Sequence, residues 1–144
     1  YRVIVSGRIK HFISAFGEHV IGKEVEEALK QASQNTSVAI NEFTVAPQIT
    51  PNTGLPYHEW FIEFETEPNN LEEFALKIDN AMRQQNNYYN DLITGNVLRS
   101  VVITKVPKNG FQEYMKSIGK LGGQNKLPRL SNDRSIADKL IIER

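Results

Sequence analysis

The sequence predicts an α+β domain: an N-terminal β-hairpin, then a small, mainly antiparallel sheet with helices packed on it in ferredoxin-like order. Three observations predict it. Segments with apolar residues at i, i+3, i+4 and i+7 alternate with β-branched and aromatic runs. After the opening hairpin their order is helix, strand, strand, helix, strand, helix, which suits helices laid on a sheet. The 144 residues, 40% hydrophobic and 24% charged, have the size and balance of one globular domain, residues 1–144.

Residues 2–6 and 9–15 read as strands joined by a Gly7-Arg8 turn. From Gly22 the period changes, and Val25, Ala28, Leu29 and Ala32 form one face of a helix. Residues 38–47 and 57–65 read as strands; in the second, Trp60, Ile62 and Phe64 line one face, with Glu63 and Glu65 on the other. Pro47, Pro51, Gly54 and Pro56 mark the connection between them. Asn70 with Glu73 is a capping box, and Leu71, Phe74, Ala75, Ile78, Ala81 and Met82 keep helical spacing after it. Asn87 to Ile93 adds a short helical piece stopped by Gly95. Residues 97–106 read as a strand, and Phe111, Tyr114, Met115 and Ile118 as a helical stripe. A glycine-containing loop from Gly119 to Leu130 follows. Ser131 then caps a last helix with Asp133 in its first turn and Ile136, Leu140 and Ile141 as its apolar face.

Composition excludes several classes. Seventeen basic and seventeen acidic residues give zero net charge, without the basic bias of a nucleic-acid binder. No apolar run reaches the roughly 20 residues of a membrane span. No signal peptide is visible, and the absence of Cys fits a cytoplasmic protein. Basic residues gather only in the stretch Lys116, Lys120, Lys126, Arg129 and Arg134, facing Asp133, which by itself reads as a solvated loop. Phosphate-loop, dinucleotide and nucleophile-elbow patterns are absent. His11, His19 and His58 lack zinc spacing and read as surface or hydrogen-bonded histidines, so no metal ligand is assigned. The chain opens on Tyr1 directly into an apolar strand pattern, which is expected of a piece of a longer protein.

Two segments carry more. Gly7 to Leu29 reads GRIKHFISAFGEHVIGKEVEEAL, and Gly119 to Arg129 reads GKLGGQNKLPR. In this order they resemble the two signature stretches of the C-terminal domain of acyl-adenylate-forming enzymes. Gly7-Arg8-Ile9-Lys10, then Gly17, then Glu24-Val25-Glu26 match the first; Lys126-Leu127-Pro128-Arg129 matches the second. Over nearly the whole chain the wording is similar to the bacterial branch of the Gretchen Hagen three family, the auxin-responsive acyl-acid amido synthetases. Gln124-Asn125 stands where Ser-Gly usually precedes the lysine in the wider superfamily, which favours the amido-synthetase branch.

The resemblance implies the mobile lid of a larger ATP-dependent ligase. Such an enzyme activates a carboxylic acid as an acyl-adenylate and transfers it to an amine, typically an amino acid. ATP and Mg2+ would be held mainly by an N-terminal ATP-binding domain, the lid's partner, and the isolated lid would be inactive. Lys126 would be the adenylation lysine, Arg8 a ribose contact and Lys10 the hinge. Gly17 would serve close backbone packing near the acceptor channel; Gln124, Asn125 and Arg129 would support the lysine or stabilise its loop. The plainer alternatives are a surface turn arginine at Arg8 and a solvated lysine at Lys126. At the level of the whole chain they are a non-catalytic ferredoxin-like module that binds a small ligand, or an interaction domain that has lost catalysis.

Overall fold

The computed structural model describes residues 12–119 and 127–140. It opens on a short antiparallel hairpin, β1 (Phe12–Ile13) with β2 (Val20–Ile21). The expected strand at 2–6 and the Gly7-Arg8 turn lie outside the described residues. Of the strand expected at 9–15 only Phe12–Ile13 is described as strand, because the chain turns back at once. Gly17 and His19 both take left-handed backbone, at φ 88° and 49°, which ends an extended run.

Helix α1 (Gly22–Ser33) starts where the apolar period starts. The Glu24 carboxylate accepts the Ile21 N–H at 3.1 Å, satisfying one donor that the first turn would leave open. Val25, Ala28, Leu29 and Ala32 are buried, as their spacing predicts. β3 (Ala39–Gln48) and β4 (Tyr57–Thr66) pair antiparallel from Gln48–Tyr57 to Ala39–Thr66. Next comes α2 (Leu71–Gln85), capped by Asn70, whose side chain accepts the Glu73 N–H at 3.0 Å. Asn86 closes α2 and opens α3 (Asn87–Thr94): its N–H donates to Met82 O, and its side chain accepts the Tyr89 N–H.

β5 (Val102–Lys105) joins β4 in parallel, so the α+β sheet is mixed, in the order β3-β4-β5. Two helices lie in the β4–β5 crossover, as parallel neighbours require a long connection. The expected strand at 97–106 is therefore short. The N–H groups of Val97 and Leu98 go to Leu92 O, that of Arg99 to Pro56 O and that of Val101 to the Asp79 carboxylate. With those donors committed elsewhere, no ladder forms before Val102. Helix α4 (Gly110–Ser117) matches the stripe led by Phe111. The expected last helix is one 3-10 turn, Ala137–Lys139, and Leu140 beyond it is extended; Ile141 lies outside the described residues.

Both faces of the sheet are covered. Phe43, Val45, Trp60 and Ile62 pack with α1, α2 and α3, and Phe43 stacks on Trp60 with centroids 6.1 Å apart. On the other face Ala46 and Phe61 pack against Phe111, Leu127, Ala137 and Leu140. Glu63, on the strand face opposite Trp60 and Ile62 as its alternation predicts, is only 6% exposed.

α4 leaves β5 through a tight corner at Gly110, where a Cβ would run into Val106 Cγ1 and meet Pro107 at 3.5 Å. Val106 is β-branched and buried, so it has little room to yield. Gly110→Ala should destabilise the domain by about 1–3 kcal/mol, measured by urea denaturation. Adding Val106→Ala should recover part of the corner strain; if the double variant loses the sum of the single losses, the clash is not the cause.

Candidate functional site

The chain resumes at Leu127 and is sewn to the sheet within a few residues. Leu130 bridges Val45 in parallel. The Val45 N–H donates to Arg129 O at 3.0 Å, and the Ser131 N–H donates to Val45 O at 2.9 Å. The Thr44 hydroxyl donates to Pro128 O at 2.8 Å. Leu127 is buried on the far face of the sheet and Leu130 on the helical face. Both side chains anchor the segment directly after Lys126.

Arg129 then turns toward the first motif stretch. Its guanidinium pairs with Glu42 of β3, lies 3.8 Å from Glu26 of α1 and sits over the Phe43 ring at 4.8 Å. A Cβ on Gly22 would stand 4.0 Å from the Arg129 Cβ. Near by, the Ser14 N–H donates to Asn132 Oδ1 at 2.9 Å. The two stretches singled out in the sequence, a hundred residues apart in order of magnitude, therefore meet in space. The Arg129 side chain is 39% exposed, and exposed ion pairs are typically worth about 0–1 kcal/mol. Its pairing fixes geometry more than it stabilises.

The expectation of a solvated basic loop fails for two arginines. Arg129 is engaged as described. Arg134 pairs with Glu59 at 3.0 Å and Asp138 at 3.1 Å, and lies over the Phe61 ring. Lys116 is exposed, as expected. Of the anticipated site residues, Gly17 and Arg129 are described; Arg8, Lys10, Gln124, Asn125 and Lys126 lie outside the described residues. Among the described residues no group of His, Asp and Glu is arranged to hold a metal ion, and no helix is long and apolar enough to cross a membrane.

Sequence reasoning missed a buried polar network beside the Gly17 turn. Glu18 is fully buried, and its Oε2 lies 2.6 Å from Nε2 of buried His58 on β4. Glu18 Oε1 accepts the Phe16 N–H at 2.8 Å, and Glu18 O accepts from Asn86 Nδ2 at 2.9 Å. Asn86 also donates to Glu24. His58 stands over Tyr89, whose hydroxyl donates to Asp79 at 2.6 Å. The available signal was position: strand alternation puts His58 on the face of Trp60 and Ile62, where an ionisable residue needs a partner.

Burial opposes ionisation of Glu18, but the hydrogen bond and charge of His58 outweigh it, and its carboxyl titrates below the usual value. A carboxyl depressed in the folded state adds stability above its unfolded value, lost as pH falls through the folded one. The urea midpoint should thus fall as pH drops below about 4.5, the ordinary value for Glu. Glu18→Gln should be less stable at neutral pH and show a shallower acid slope. Parallel slopes would remove Glu18 from the acid transition.

Comparison with known proteins follows the same lines. A family model, the GH3 family C-terminal domain, matches residues 23–135. Among curated proteins none matches. A solved GH3.15 acyl acid amido synthetase shares the fold with TM-score 0.70 at 16% identity, over 94% of this chain and 28% of that one. AtGH3.15 acyl acid amido synthetase in complex with 2,4-DB gives TM-score 0.69 at 16% identity, over 94% and 27%. The chain thus spans about a quarter of the length of these structures, and at such identities the likeness concerns the fold. With the family model covering most of its length and the mixed sheet, crossover helices and returning C-terminal segment in place, the chain belongs to the GH3 family, as its C-terminal domain.

Proposed function

We propose that this domain is the moving lid of an ATP-dependent acyl-acid amido synthetase, which makes an acyl-adenylate and passes the acyl group to the amine of an amino acid. The observation that carries the reading is the junction of the two motif stretches at Arg129, beside Glu26 and Gly22, which the Ser14–Asn132 bond just past the second stretch reinforces. A body that fixes both stretches to each other can present or withdraw both sets of motif residues in one movement. Lid motions of this kind assemble different catalytic arrangements around a bound intermediate.

In the first half-reaction a carboxylate oxygen attacks the α-phosphorus of ATP and pyrophosphate leaves. Lys126, directly before the anchored Leu127, supplies a compact cation with three donors to the crowded oxygens. Arg8 contacts the ribose hydroxyls, and Gln124, Asn125 and Arg129 hold the lysine loop. ATP and Mg2+ sit mainly on the N-terminal ATP-binding partner domain. In the second half-reaction the amine attacks the acyl carbon and AMP leaves; the backbone at Gly17 lies near the acceptor's path. The work is that of a cytoplasmic ligase.

Lys126→Ala in the full-length enzyme should slow ATP–pyrophosphate exchange on the order of 10²–10³-fold, while amide formation from pre-made acyl-adenylate survives. 2,4-DB, the acid in the complex of the related synthetase, is a suitable first acid. Unchanged exchange would sink the assignment. The isolated domain should unfold cooperatively and catalyse no exchange.

Lys10→Pro fixes φ near about −65° and removes a donor, and a hinge must change φ and ψ between arrangements. Adenylation should continue while transfer slows and acyl-adenylate accumulates; Lys10→Ala should be mild. Equal losses in both half-reactions, with a lowered melting temperature, would identify an ordinary strand residue instead.

A further inference from the structure

We infer that Glu18 and His58 form a buried clamp that positions the Gly17 turn for the amine-transfer half-reaction, an inference that rests on the function proposed above. Neither residue belongs to the motif positions expected to touch substrate, and neither reaches solvent: Glu18 is 0% exposed and His58 2%. They act through the turn and are positioning residues.

Stability alone does not account for the pair. Taking a carboxylate and an imidazole out of water costs several kcal/mol per ionised group before pairing, and apolar replacements of buried pairs are often neutral or stabilising. What the pair supplies is connection. One carboxylate oxygen holds the Phe16 N–H inside the turn; the other is 2.6 Å from the central strand β4 through His58. With Glu18 ionised, His58 Nε2 carries the shared hydrogen and donates it. The carbonyl of the same residue accepts from Asn86, the joint between α2 and α3. Two separate parts of the fold, β4 and the joint between α2 and α3, thus converge on one residue of the turn.

The turn needs such a hold. His19 has φ 49°, and left-handed backbone costs a non-glycine residue roughly 1–2 kcal/mol. Gly17, at φ 88°, has no described atom within 4 Å of where a Cβ would stand. Among the described residues its backbone is open on that side, and none of them crowds the position into being a glycine. An open, left-handed glycine held from behind by a buried clamp suits the close approach of a group from outside the domain. In the proposed reaction that group is the acyl-adenylate with its incoming amine. The turn is also tied to Asn132 by Ser14, so its placement is referred to the same frame as the segment Leu127–Leu130 that lies along β3.

The test uses the full-length enzyme with 2,4-DB and the common amino acids, taking the amino acid that gives most amide. His58→Leu deletes the donor. His58→Gln offers a side-chain amide donor near Nε2. A misplacement of the order of 1 Å can cost about 10²-fold in rate, so His58→Leu should lower kcat for amide formation about ten- to a hundredfold. ATP–pyrophosphate exchange and the KM for the acid should stay within a factor of about two. His58→Gln should restore most of the transfer rate. Should His58→Leu fail to fold, Glu18→Gln, which retains shape but weakens the charged bond, carries the same comparison and should show a smaller loss confined to transfer. Equal losses in both half-reactions, or no loss in transfer, overturn the clamp while leaving the synthetase reading intact. Absence of exchange in the wild-type enzyme with every acid tried overturns the synthetase reading, and the clamp with it.

Discussion

Val45 holds the structure's long-range design in two hydrogen bonds. Its N–H and C=O both bind the returning C-terminal segment, at Arg129 and Ser131. With the Thr44–Pro128 bond and the Arg134–Glu59 pair, that bridge brings Leu127, Ala137 and Leu140 over Phe61 and closes the far face of the sheet beside Phe111. It also seats Arg129 between Glu26 and Glu42. The bridge is short, spanning only Arg129 to Ser131 against Val45. One side leads to the lysine loop, the other to Asn132 and the hairpin.

Much of the fold was legible because it is local. The periods of α1 and α2, the Asn70 cap, the two long strands and the proline-rich connection each depend on neighbours within a few residues. What failed to show was non-local. Glu59 and Glu63 alternate with Phe61 as a solvent face would, yet Arg134 arrives from far downstream to pair with Glu59 and lie over Phe61. The 97–101 segment is β-branched enough for a strand, but its donors are taken by a helix end, a loop carbonyl and a carboxylate. Neither fact leaves a mark on the residues themselves.

The candidate site divides in the same way. Gly17, Glu24 and Glu26 were visible only as positions in a resemblance, Arg129 also as one of a cluster of basic residues, and the structure gives each a physical task. Gly17 makes the turn, Glu24 caps α1, and Glu26 and Arg129 join the stretches. Glu18 and His58 stood in plain view, but their meeting across 40 residues of chain depends on the hairpin stacking on β4. A buried acid and a buried base are each anomalous alone and become intelligible only as a pair.

A small sheet explains why such acids are needed at all. Three strands leave much of the backbone between elements without a ladder partner, and a buried N–H left open costs about as much as a lost hydrogen bond. Two buried carboxylates fill that role here. Glu18 accepts the Phe16 N–H in the hairpin turn, and Asp79 accepts the Val101 N–H at the approach to β5. Each in turn takes a side-chain donor from inside, His58 for one and Tyr89 for the other. Burial, reinforced by the charge of Asp79, keeps the Tyr89 hydroxyl protonated far above its ordinary value, so its donation persists wherever the fold does. His58 and Tyr89 touch ring to ring at 5.2 Å, which sets the two acceptors at either end of one aromatic contact. The irregular segments on the two sides of the core are therefore referred to a common point beneath β4. A displacement of the hairpin turn that breaks the Glu18 end leaves without its carboxylate partner the ring that packs on Tyr89 at the Asp79 end.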